Sequence, residues 1–203
     1  MIPFLGQVYS ELESQLKLLE RRFIRPHLPL PAISDPSDYD LDVRAYCVLS
    51  HAAFEEYFEG LCLRLMIDAV DGWIETRDAT TKLLSFLAFG PEIKIDVDEK
   101  HAEQKLFDYI RKALNERKDQ FSRFLKQNNG VSPKYLRQML LPVGLDVPDN
   151  PLWIGSLNQL AKERGKHAHA GYVHTIPSPD IALQWVADCL GMCAHIRNAA
   201  QLL

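Results

Sequence analysis

The chain has 203 residues, 47% of them hydrophobic and 25% charged, with a formal net charge of −4. That balance is ordinary for a globular protein and excludes disordered, collagen-like and coiled-coil classes. An acidic average also argues against a protein that coats nucleic acid broadly, since such affinity comes from neutralising many phosphates, although it leaves room for one compact basic site.

Residues 3–23 place Leu5, Val8, Tyr9, Leu12, Leu16, Leu19 and Phe23 at steps of three and four, the period of an amphipathic helix. Pro26, Pro29, Pro31 and Pro36 then impose a loop, because proline lacks an amide hydrogen and disfavours helix in the residue before it. A second helix is predicted over 40–69, with Cys47, Phe54, Leu61 and Leu65 on one stripe, and a shorter one over 73–88 that carries Trp73, Leu83, Leu84 and Leu87 and stops at Gly90-Pro91. On the second helix Glu56 points away from Phe54 and Leu61, while Glu55 and Glu59 lie on its flank; a solvated acidic face is the plain reading of the three. His51 borders the core stripe and reads as a core histidine.

A fourth helix is predicted over 99–127, with Leu106, Ile110, Leu114, Phe121 and Leu125 inward and many lysines and arginines outward. Asp108, Glu116 and Asp119 alternate with those cations, so pairing along the helix is expected rather than a basic footprint. Asn128-Asn129-Gly130 is a stop signal. Ser132-Pro133, Asn150-Pro151 and Ser178-Pro179 each place a capping side chain before a first-turn proline, and start a short helix, a helix over 151–163 and a last helix over 179–202. No strand alternation and no internal repeat occur. The pattern is all-α, a single helical domain over 1–203 with an irregular helical insertion before the last two helices.

Cys47, Cys62, Cys189 and Cys193 all fall in apolar helical stretches and read as reduced core residues. Neither CxxC nor HExxH occurs, so no metal site and no cofactor are expected. No apolar run approaches a membrane span, and the first residues lack the basic segment and apolar core of a signal peptide; a cytoplasmic protein is expected.

The segment with chemical capacity is Ala161-Lys-Glu-Arg164-Gly-Lys166-His167-Ala-His169-Ala-Gly171. Gly165 and Gly171 bracket the histidines and are expected to turn the backbone out of regular helix. Histidine titrates near neutral pH and can take or give a proton. Arginine stays charged and can hold a phosphate through two parallel hydrogen bonds. Together they suit phosphodiester cleavage in RNA, where the 2′-hydroxyl attacks the neighbouring phosphate and no metal is required. The structural alternative is that Arg164 and His169 merely cap a helix C-terminus, where cations are favoured.

Arg164, four residues and His169 resemble the R-x4-6-H motif of the HEPN superfamily. The helical setting is similar, as are three longer segments that look like its RiboL-PSP branch: Arg44 to Glu59, Asn128 to Leu136, and Leu160 to Gly171. The resemblance implies a helical bundle with the motif at the junction before the final helix. It implies an endoribonuclease of toxin–antitoxin, abortive-infection or antiviral systems, acting as a homodimer in which two motifs meet, with RNA as substrate and an antitoxin or defence-system protein as partner. It carries Arg164 and His169 over as the catalytic pair, and leaves Lys166 and His167 as substrate-contact candidates. It also implies a supporting polar residue on the second helix, for which both Glu55 and Glu56 qualify. The alternative is a non-catalytic HEPN module that binds RNA or a partner protein.

Overall fold

The structure, a computed structural model, describes residues 3–30, 34–92, 105–127, 130–169 and 177–203, with residues 166–169 described by their backbone. All regular elements among these residues are helical: α1 (Pro3–Phe23), α2 (Asp40–Thr76), α3 (Thr81–Phe89), α4 (Leu106–Gln127), α5 (Pro133–Leu140), α6 (Pro151–His169) and α7 (Pro179–Ala200), with short 3-10 turns at Arg25–His27, Pro36–Asp38 and Leu141–Val143. No helix among them is long and apolar enough to cross a membrane.

The 37-residue helix α2, about 55 Å long, is the axis on which the others pack. Its buried face runs through Val43, Tyr46, Cys47, Phe54, Phe58, Leu61, Leu65 and Val70. α1 lies along it, with Tyr9 edge-on to Tyr57. α6 and α7 pair antiparallel: Trp153 stacks near His195, while three residues later Ser156 donates to Asp188 at 2.6 Å, seven residues earlier on α7. Tyr57 reaches across to donate to the Cys193 carbonyl at 3.3 Å. The predicted caps form as the side chains dictate. Ser132 and Ser178 accept from the third amide onward, and Asn150 accepts from Leu152 and Trp153.

The boundary between α2 and α3 differs from expectation. α2 does not stop at residue 69 but continues through Trp73 to Thr76, and turns only at Arg77, which adopts φ 71°. Gly72 is the one weak helix former near the expected break, and it costs about 1 kcal/mol, which the burial of Ala69 and Val70 outweighs. α3 therefore begins later, at Thr81, where Thr80 accepts the Leu83 amide. The expected start of the fourth helix at 99 lies outside the described residues; Leu106 to Gln127 are helical.

The cations of α4 are largely spoken for. Arg111 pairs with Asp108, Lys112 with Glu116, and Lys118 with Asp71 of α2. Arg117 is buried, and its Nη2 donates to the carbonyls of Leu87 at 3.0 Å and Gly90 at 2.7 Å, closing the C-terminus of α3. Gly90 has no room for a side chain, since a Cβ there would lie 2.5 Å from the Phe86 carbonyl. Arg117→Ala is expected to cost about 2–3 kcal/mol, because two carbonyls lose a charged donor together, and thermal denaturation would register it.

All four cysteines are buried thiols. Burial, with Glu163 nearby, pushes the Cys47 thiol up to about 12, and burial raises the other three as well. Such thiols are core filling rather than nucleophiles.

Candidate functional site

The segment expected to leave helical geometry at Gly165 does not. α6 runs unbroken through Arg164 and Gly165 to His169. Among the described residues nothing crowds Gly165, and its backbone has no conformation that demands glycine. Its penalty of about 1 kcal/mol does not end a helix whose neighbours Ala161, Lys162, Glu163 and Ala168 all favour one. Gly171 lies outside the described residues. Arg164 thus stands five residues before the helix end, and His169 is that end, about 7.5 Å further along the axis. The side chains of Lys166, His167 and His169 also lie outside what is described.

Arg164 is held from α2 and from the turn between α4 and α5. Its Nη1 lies 3.3 Å from Glu55 Oε2; the Glu55 side chain is 15% exposed, that of Arg164 35%. Glu56 is solvent-exposed one position away, so of the two carboxylates considered it is Glu55 that meets Arg164. The third acid, Glu59, lies one turn beyond Glu55, with a carboxyl raised by partial burial and by Glu55 and Glu56. Guanidinium carries five N–H donors in a fixed fork. Glu55 takes part of that fork and sets its orientation, while the exposed remainder can meet an anion.

Gly130 presses on the same guanidinium. Its φ of 123° is open mainly to glycine, and a Cβ there would lie 2.4 Å from Arg164 Nη1 and 3.4 Å from His51 Cε1. The next residue, Val131, is fixed by His51, whose Nε2 lies 3.2 Å from its carbonyl oxygen and 3.3 Å from its amide nitrogen. His51 and Glu55 are one turn apart on α2, so a single helix face holds both the turn and the arginine.

The core reading of His51 is half right. The ring is 1% exposed, yet its Nδ1 has no hydrogen-bond partner. Ser50 Oγ and Arg44 Nε, also on α2, are likewise buried without one, and Arg117 Nε is the fourth such atom among the described residues. Buried polar atoms are nearly always paired, so three between Arg44 and His51 of α2 are unusual, and of the three it is His51 that lies near Arg164. Burial first, and Arg164 after it, hold the His51 pKa down to about 4 against the help of the Val131 bond. The sign follows. The unfolded chain protonates His51 near pH 6.5, the folded chain only near 4, so stability falls as pH drops through that window, by up to about 3 kcal/mol. His51→Gln is expected to flatten that part of the curve of stability against pH, measured by urea denaturation between those limits.

Sequence periodicity could not have shown this contact, because His51 and Val131 are eighty positions apart. The signal that was present is Gly130 followed by a capped α5, a tight turn with a positive-φ glycine. Among the described residues, no three His, Cys, Asp or Glu side chains converge as a metal site.

With this geometry in place, the chain can be set beside known proteins. The family model RiboL-PSP-HEPN matches residues 9–201. The chain belongs to the RiboL-PSP-HEPN family. The match spans both the α2 face that carries His51 and Glu55 and the α6 segment that carries Arg164 and His169. No curated protein and no solved structure matches the chain. An all-helical bundle is what this HEPN membership entails, and the helices described agree with it.

Proposed function

We propose that this HEPN protein is an endoribonuclease of the cytoplasm, the toxin or effector of a toxin–antitoxin or antiviral system. The observation that carries the reading is Arg164. It is half-exposed near the end of α6, oriented by Glu55 at 3.3 Å, and followed five residues later by His169. An arginine so held is preorganised to bind a phosphodiester and to stabilise the charge that builds on its oxygens as the 2′-hydroxyl attacks. His169 supplies proton transfer at neutral pH. The attacking hydroxyl loses a proton and the leaving 5′-oxygen gains one. Two protomers, facing each other through their motifs, provide a second histidine so that base and acid need not be the same ring. Lys166 and His167 are placed by sequence on the same turn and are assigned to substrate contact. The single-domain reading of 1–203 goes with this assignment.

A second reading is a non-catalytic module that binds RNA or a partner protein, and the Glu55 carboxylate favours it, since it neutralises much of the Arg164 charge. Expression in a bacterial host separates the two. Growth arrest by the wild type and normal growth with His169→Ala are expected. Equal growth of both strains, with RNA still bound by the purified protein, would support the module instead.

A further inference from the structure

A groove of about 700 Å³ lies between the C-terminal end of α3, the second half of α4 and the outer face of α5. Phe89 and Phe124 stand in its wall, Phe89 being 60% exposed, and Phe124 stacks on the buried Phe121 with ring centres 5.9 Å apart. Lys134, Arg137 and Gln138 of α5 are also in its lining, all solvent-exposed. No carboxylate is among its lining residues that the structure describes, in a chain whose net charge is −4. Whereas Arg111, Lys112 and Lys118 of α4 are paired, neither Lys134 nor Arg137 makes an ion pair among the described residues.

We infer that this groove binds single-stranded RNA, as an extension of the Arg164 site along α5. Exposed phenylalanine faces beside unpaired cations are the two components by which a strand is held without sequence readout: bases stack on the rings and phosphates meet the charges. Placement supplies the second argument. Lys134 follows Gly130 by four residues, so the two Cα atoms are at most about 14 Å apart, and Gly130 touches the Arg164 guanidinium. A strand engaged by Arg164 therefore has Lys134 within the span of a few nucleotides, and Arg137 lies one turn further along α5. Apolar wall and basic rim together choose nucleic acid over an apolar peptide, which would leave both cations unmatched.

The inference rests on the ribonuclease reading for its substrate, and its test is binding without turnover. The full chain carrying His169→Ala is titrated against a fluorescein-labelled 20-nucleotide single-stranded RNA, and anisotropy is followed at several salt concentrations. Lys134→Glu with Arg137→Glu is expected to weaken binding at least about tenfold and to shrink the salt slope by about 0.7 for each phosphate no longer neutralised. Phe89→Ala is expected to weaken it about tenfold with the salt slope unchanged, since stacking releases no counterions. Circular dichroism checks that each variant keeps its helices. Affinities within about twofold of the parent in both variants, or a parent that binds no RNA, would overturn the groove. RNA cut normally when the same groove substitutions are made in the chain that retains His169 would leave the ribonuclease standing while the groove falls. RNA bound through the groove but cut by no form of the protein would do the reverse.

Discussion

Arg164→Ala is expected to lower the rate of RNA cleavage by about 10²–10³-fold, some 3–4 kcal/mol of barrier. The size follows from the setting. Glu55 holds Nη1 at 3.3 Å and Gly130 packs beside it, so the guanidinium needs little reorganisation when charge develops on the phosphate. Arg164→Lys should recover little of the loss, because a single ammonium cannot keep both the Glu55 contact and a two-pronged hold on phosphate. The loss belongs in kcat rather than KM if the interaction strengthens in the transition state, and steady-state kinetics on one RNA separates the two. Removal of Arg164 also leaves Glu55 without its cation on a largely buried helix face, so stability should be measured beside activity.

Gly130→Ala is expected to damage both fold and activity from a position with no side chain. Alanine at φ 123° is strained by about 1–2 kcal/mol, a fall of about 2–8 °C in Tm for a chain of this size. The new methyl would also sit 2.4 Å from Arg164 Nη1, and the guanidinium, as the far end of a flexible side chain, is what moves. Displacement of about 1 Å at a catalytic group costs up to about a hundredfold in rate, so cleavage should fall further than the loss of stability accounts for. Activity measured well below Tm, where the variant is folded, isolates that part. Gly165→Ala is the matched control, since no described residue outside its own helix lies within 4 Å of an added Cβ and its backbone is helical.

The helices were legible where periodicity and caps agreed. α1 is found at the residues its apolar spacing marks, and the Ser-Pro and Asn-Pro signals start α5, α6 and α7 where expected. The same reasoning failed at one glycine. Gly165 suggested a break, yet it costs only about 1 kcal/mol in a helix, less than the propensity of the residues around it supplies. Gly130, by contrast, does mark a turn, because its φ is one other residues avoid.

The candidate site was legible in its members and not in its assembly. Arg164 and His169 stand out as a pair in sequence, and the family resemblance implied a polar residue on the second helix, for which Glu55 and Glu56 both qualified. Which of the two meets Arg164 depends on how α6 lies against α2, a relation no local pattern encodes. His51 was invisible for the same reason. Its apolar neighbours identify it as buried, and only the long-range approach of Val131 and Arg164 shows what it holds. Family membership then connects these contacts to a class of proteins, while the proposed chemistry rests on Arg164 and His169.

The most direct test of that chemistry is cleavage of one single-stranded RNA by the purified protein in EDTA, beside an otherwise identical strand lacking its 2′-hydroxyls, with the ends of the products identified. Attack by the 2′-hydroxyl, helped by Arg164 and His169, should yield a 2′,3′-cyclic phosphate and a 5′-hydroxyl from the RNA, no cut in the deoxy strand, and none with His169→Ala. Cutting of the deoxy strand, or cutting that survives in both Arg164→Ala and His169→Ala, would contradict the account.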